Sequence, residues 1–157
     1  MKKLLLVRHA KAVHDTSYSD FERPLKPSGI KDAEFMCEKL LREGIKPQIL
    51  VTSPALRTAA TADIFSEFLS LPKPREDERI YEASRLTMMN VISGFEDKYN
   101  FIGLIGHNPT IEDITYYLTN QMPQFSTCSV ALIEFDFDEW GAISSGTGKL
   151  KWFGSPD

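Results

Sequence analysis

Residues 4–9 read Leu4-Leu5-Leu6-Val7-Arg8-His9: four consecutive aliphatic side chains, then at once a guanidinium and an imidazole. So short an unbroken apolar run is what a strand covered on both faces requires, because neither face can be left to water. Two later stretches share its form. Residues 48–51 are Gln-Ile-Leu-Val and lead into Thr52-Ser53-Pro54, with Arg57 a turn further on. Residues 101–105 are Phe-Ile-Gly-Leu-Ile and lead into Gly106-His107-Asn108-Pro109.

The segments between these runs carry helical spacing. After Pro27-Ser28, the side chains Ile30, Ala33, Cys37, Leu40 and Leu41 fall on one face, and Gly44 is a natural stop. Ser53-Pro54 reads as an N-cap with proline in the first helical position. It predicts a helix to about Leu71 with Leu56, Ala60, Ile64, Phe65 and Phe68 turned inward. Residues 75–80 are expected to form a short strand and 85–95 a helix. Asn108-Pro109 repeats the cap-and-proline start ahead of Ile111, Ile114, Tyr117 and Leu118. Residues 130–137 alternate late on between apolar and acidic. Residues 149–153 are expected to pair with them antiparallel, across a turn at 141–148. Residues 10–26 are polar and irregular, a long loop of the kind that often carries function. Strand and helix alternate almost from end to end, which predicts one three-layer α/β/α domain over 1–157 with a mostly parallel, mixed sheet flanked by helices.

Composition narrows the function classes. The chain has 157 residues, 42% hydrophobic and 25% charged, as in an ordinary globular protein. A formal net charge of −4 argues against a broad nucleic-acid footprint, while a local arginine cluster remains able to bind an anion. The two cysteines, Cys37 and Cys128, form neither a disulfide framework nor a zinc motif, and fit a reducing compartment. Lys2-Lys3, the following aliphatic run and Ala10-Lys11-Ala12 imitate a signal peptide, but the apolar core is too short and Arg8 interrupts it. A cytoplasmic protein with no membrane partner is the expectation.

If the three apolar strands are parallel neighbours, Arg8, His9, Arg57 and His107 converge outside their carboxyl ends, where open α/β sheets bind ligands. Two arginines, two histidines and two helix N-termini make an anion pocket. No P-loop, dinucleotide fingerprint or acidic magnesium cluster accompanies them. A phosphoryl group held without a metal or other cofactor is therefore expected.

These residues carry a resemblance. Leu6-Val7-Arg8-His9-Ala10 is similar to the Arg-His-Gly signature of the histidine phosphatase superfamily, whose fold is also called phosphoglycerate-mutase-like. Thr52-Ser53-Pro54, with Arg57-Thr58, and Gly106-His107-Asn108-Pro109 match its second and third signatures in the right order. The short chain, Arg8-His9-Ala10-Lys11, and Arg23-Pro24-Leu25 followed by Gly29 most resemble its SixA-type phosphohistidine phosphatase branch. That branch tolerates Ala10 in place of glycine. No sizeable helical insert separates the second and third signatures, so an open pocket is expected.

The resemblance implies that His9 is the nucleophile, that Arg8, Arg57 and His107 hold the phosphoryl oxygens, and that Arg23 adds a further contact. It also implies a carboxylic acid for the leaving group of a phosphate ester; Glu82 is the candidate, with Asp20, Glu22 and Glu112 also near the motifs. Ser53 reads as a helix cap first and a pocket wall second. Arg57 and Arg23 have an alternative as partners of nearby carboxylates, and Lys11 and His14 read as solvated loop residues. The implied substrate is a phosphohistidine protein, such as a phosphorelay domain. A small-molecule phosphomonoesterase and a phosphate-binding module without turnover are the alternatives.

Overall fold

In a computed structural model covering residues 1–157, the first apolar run lies in β1, Lys2–Arg8. Its side chains divide by parity: Leu4 and Leu6 enter one core, Leu5 and Val7 the other, and all four are fully buried. The remaining strands are β2 (Ile49–Thr52), β3 (Arg75–Glu76), β4 (Phe101–Gly106), β5 (Val130–Phe135) and β6 (Gly148–Gly154). They form one sheet in the order β3-β2-β4-β1-β5-β6. β3, β2, β4 and β1 run parallel; β5 and β6 are antiparallel additions.

Helices α1 (Pro27–Glu43) and α2 (Leu56–Phe68) cover the face of Leu5 and Val7. Helices α3 (Arg85–Ser93) and α4 (Thr110–Thr119) cover that of Leu4 and Leu6. The three-layer architecture and the C-terminal antiparallel pair are as the sequence predicts.

Several local expectations need correction. α1 buries Gly29, Ala33, Met36, Cys37 and Leu40, while Ile30 and Leu41 are exposed. Gly44 does end this helix, in the left-handed conformation at φ 69° that glycine adopts without a Cβ clash. α2 starts at Leu56, behind Ala55 as its N-cap, and stops at Phe68 rather than Leu71. Its buried face is Arg57, Thr58, Thr61, Ala62, Phe65 and Ser66, with Leu56 and Phe68 exposed. The two buried threonines satisfy their hydroxyls on helix carbonyls: Thr58 on those of Ser53 and Ala55, Thr61 on that of Arg57. These two hydroxyls thus enter the core at little hydrogen-bonding cost.

The strand expected at 75–80 shrinks to β3, followed by a 3-10 turn, Glu78–Ile80. α4 follows Pro109 as its N-cap residue, so Asn108 is free to donate elsewhere. Lys2, inside β1, is fully buried, its ammonium donating to the carbonyls of Asp97 and Tyr99 and to Asn100 Oδ1.

Candidate active site

Because β2, β4 and β1 are adjacent and parallel, their carboxyl ends lie on one edge of the sheet. That edge receives Arg8 and His9 from β1, Thr52-Ser53 from β2 and His107 from the residue after β4. The backbone ties the ends together. His9 N–H donates to the Gly106 carbonyl at 3.1 Å, and Ser53 N–H to that of Ile105 at 3.2 Å. Thr61 Oγ1 of α2 accepts the Ala10 N–H at 3.1 Å, fixing the residue next to His9.

The result is a cavity of about 240 Å³ with a single hydrophobic side chain in its lining. Arg8, His9, Arg57 and His107, the four expected to converge, line it, and so does Arg23. His9 is 8% exposed and Arg57 6%, and the His9 and His107 rings lie 5.4 Å apart. His9 Nδ1 is 2.7 Å from the carbonyl oxygen of Ala10. A carbonyl only accepts, so Nδ1 carries the ring proton and Nε2 keeps its lone pair. Burial pushes the His9 pKa down to about 4, with the Ala10 hydrogen bond opposing and Arg57, Arg8 and Arg23 adding to the fall. His107 falls to about 3, from burial first and then Arg57 and His9. Both rings are therefore neutral at neutral pH.

The arginines are held at their far ends. Arg8 Nη1 donates to the Phe125 carbonyl at 3.0 Å, an acceptor shared with Asn108 Nδ2 at 3.1 Å. Phe125 is fixed in turn, its N–H donating to Glu112 at 2.8 Å. Arg57 donates through Nη1 to the Asp20 carbonyl and through Nη2 to the Asp20 carboxylate. Tyr81 Oη and Arg23 Nε also donate to that carboxylate. Tyr81 and Arg57 hold Asp20 down at about 2, so Asp20 is not a proton donor near neutral pH. The buried Nε atoms of Arg8 and Arg57 have no hydrogen-bond partner within the fold. No group of three or more His, Cys, Asp or Glu side chains is placed to hold a metal ion.

Comparison with known proteins gives this arrangement its family. The model of the histidine phosphatase superfamily, branch 1, matches residues 4–100. The chain belongs to that superfamily. Phosphohistidine phosphatase SixA of Escherichia coli is 24% identical over 98% of this chain and 94% of its own. An uncharacterized chloroplastic protein of Arabidopsis thaliana is 28% identical over 96% of this chain and 74% of its own length. A structure of the protein histidine phosphatase SixA in complex with tungstate superposes with a TM-score of 0.85 at 21% identity, covering 98% of this chain and 97% of that one. The fold is therefore the compact phosphoglycerate-mutase-like form seen in SixA.

Within this histidine phosphatase fold, the remaining expected site residues are placed as follows. Ser53 is fully buried and does not cap α2; its hydroxyl lies 2.9 Å from His107 Nε2 and accepts the Ala55 N–H at 3.3 Å. Glu82 stays outside the basic cavity. It lines a neighbouring cleft with Asp20, Tyr81 and Thr110, and Arg57, His107 and Asn108 form the wall common to both. Its backbone is left-handed, φ 55°. Lys11 and His14 are exposed, as solvated loop residues are, yet both line the cavity, with Lys26 beside them.

The residues that sequence reasoning missed are Tyr81, Asn108 and these rim groups, together with the part Asp20 takes as anchor of Arg57. Asn108 had a signal, its place inside the third signature. Tyr81 and Lys26 had none, because the path of a loop is not written in any periodicity.

Proposed function

We propose that this chain is a metal-independent phosphatase that works through a phosphohistidine intermediate on His9, with protein phosphohistidine as its preferred substrate class. The observation that carries the reading is the state of His9: a neutral ring, Nδ1 pinned by the Ala10 carbonyl, and Nε2 free. In the first step Nε2 attacks phosphorus; the N–P bond forms as the bond to the leaving atom breaks, and the leaving group takes up a proton. In the second, water attacks phosphorus, the N–P bond breaks, and His9 regains its lone pair as phosphate departs and the water proton passes to solvent.

Arg8, Arg23, Arg57 and His107 hold the non-bridging oxygens throughout, and positive charge already in place stabilises the charge that spreads over them in the transition state. Ser53 acts on the substrate through the ring of His107.

Likeness to E. coli SixA supports phosphohistidine as the substrate, and so does chemistry: a leaving imidazole depends less on an acid than an alkoxide does. Glu82 favours a second reading, a small-molecule phosphomonoesterase. Its cleft shares Arg57 and His107 with the phosphoryl cavity, so a leaving group lying there would meet its carboxyl.

Steady-state turnover of a phosphohistidine peptide and of p-nitrophenyl phosphate, both in EDTA, tests the proposal. The peptide is expected to be preferred. His9→Ala is expected to abolish turnover while phosphate affinity stays within about tenfold, since the arginine clamp remains. Turnover retained in His9→Ala sinks the nucleophile, and a preference for the ester moves the substrate to the second reading. Phosphate binding without turnover or a labelled histidine leaves a binding module.

A further inference from the structure

The cavity is larger than its phosphoryl-gripping floor. Outside the buried His9 and Arg57, its rim carries Lys11, His14 and Lys26, all exposed. No carboxylate lines the cavity, although the chain as a whole carries a net charge of −4. Five of the chain's 18 Lys and Arg side chains are thus gathered at a mouth that no carboxylate lines.

The rim is a built feature rather than a loose stretch of loop. Residues 11–13 and 24–26 are clasped by an antiparallel bridge between Ala12 and Leu25. Lys26 N–H donates to the Lys11 carbonyl at 2.9 Å, and Val13 N–H to that of Pro24 at 2.9 Å. The two lysines therefore stand on facing arms of one clasp. Arg23 Nη1 donates to the Val13 carbonyl at 3.0 Å and lies 3.3 Å from His14 Nδ1. His14 then accepts at Nδ1 and keeps a donor at its other ring nitrogen. Lys26 makes no ion pair, and Lys11 makes one long contact, 3.5 Å, with the half-buried Asp32, leaving its exposed ammonium able to meet a second anion.

We propose that Lys11, His14 and Lys26 form a second anion subsite, so that the preferred substrate carries a carboxylate or a second phosphate beside the transferred phosphoryl group. The proposal rests on the phosphatase reading above. It adds a specificity determinant to that reading: the floor reacts with any accessible phosphoryl group, and the rim selects by the charge beside it.

Two sources supply such an anion, an acidic side chain flanking a phosphohistidine or a second acidic group on a small phosphate ester. The experiment keeps them apart. In one arm, kcat/KM is compared for phosphohistidine peptides flanked by Asp or by Asn. In the other, phenyl phosphate is compared with its carboxyphenyl counterpart. Each pair is run on the intact protein and on a Lys11→Gln/Lys26→Gln variant, at low and high salt.

Expected is a preference of about fivefold or more for the extra anion in one arm. It should shrink as salt rises and fall at least threefold in the double variant. The arm that shows it identifies the source. Equal rates within both pairs, or a preference that survives in the double variant, overturns the subsite. The absence of turnover on every substrate overturns the phosphatase reading instead, so the two failures are distinguishable. If the double variant does not fold, the salt dependence of the intact protein still decides.

Discussion

In the proposed mechanism a single hydrogen bond prepares His9 as the nucleophile. Ala10 offers a carbonyl 2.7 Å from His9 Nδ1, and burial keeps the ring neutral. The convergence of Arg8, His9 and His107 was legible in the sequence, because each sits at the end of an apolar strand and parallel neighbours must bring such ends together; the Ala10 carbonyl was not. What was not legible is how they are held. Asp20 gathers Arg57, Arg23 and Tyr81 on one carboxylate across a fold of irregular chain, and no pattern of residue types encodes that meeting. Glu82 is the residue whose role the geometry leaves most exposed to test. It lines the cleft on the far side of the Arg57–His107 wall, where under the proposed mechanism a leaving group would meet it. Glu82→Gln is expected to slow hydrolysis of an alkyl phosphate by about 10²-fold or more, the usual worth of a positioned proton donor. Hydrolysis of a phosphoramidate should slow several-fold less. Equal slowing in steady-state assays of the two compounds would mean that Glu82 donates no proton to the leaving group.

At the scale of elements, α1 and the loop before it form one unit. Gly29 lies in the first turns of α1 against the backbone of Lys11; an added Cβ would sit 2.3 Å from the Lys11 carbonyl oxygen and 2.9 Å from its nitrogen. Alanine is the better helix former by roughly 1 kcal/mol, so propensity alone predicts a gain from Gly29→Ala. The clash is with backbone, which cannot swing aside as a side chain does, and overpacking costs typically about 1–3 kcal/mol. We expect Gly29→Ala to lower Tm and, by displacing the Lys11–Lys26 clasp, to reduce kcat/KM as well. A higher Tm with unchanged kinetics would show that loop and helix are not rigidly joined. In the sequence Gly29 closes the pattern that Arg23-Pro24-Leu25 opens, and its packing against Lys11 supplies the reason. The helix faces were less legible. α2 turns Thr58 and Thr61 inward because Thr61 Oγ1 is needed to hold the Ala10 N–H, and it leaves Leu56 and Phe68 in water. Counting apolar residues places Phe65 correctly and misses the polar side chains that this helix turns inward to serve the site.

Across the whole molecule the site is a liability to stability in acid. In the unfolded chain both histidines titrate near 6.5, whereas in the fold His9 resists protonation to about 4 and His107 to about 3. Between those limits the unfolded state binds more protons than the native one, so stability must fall as pH drops below about 6.5. The slope approaches about 1.4 kcal/mol per pH unit for each histidine. Asp20 acts in the same direction lower down: its depressed pKa stabilises the fold above about 4, and that contribution is lost as pH falls toward about 2. The His9 and Asp20 effects occupy different windows, which makes those two separable. Urea midpoints measured from pH 7.5 to 4.5 should decline for the native sequence. For His9→Asn the decline should be shallower by about one histidine's share, because the substituted side chain has no proton to gain. Parallel curves for the two proteins would mean that His9 titrates normally in the fold. A ring of ordinary pKa is still mostly neutral at pH 7.5, so burial would not be what prepares it for attack, and turnover would fall off below about pH 6.5 rather than persist toward about pH 4.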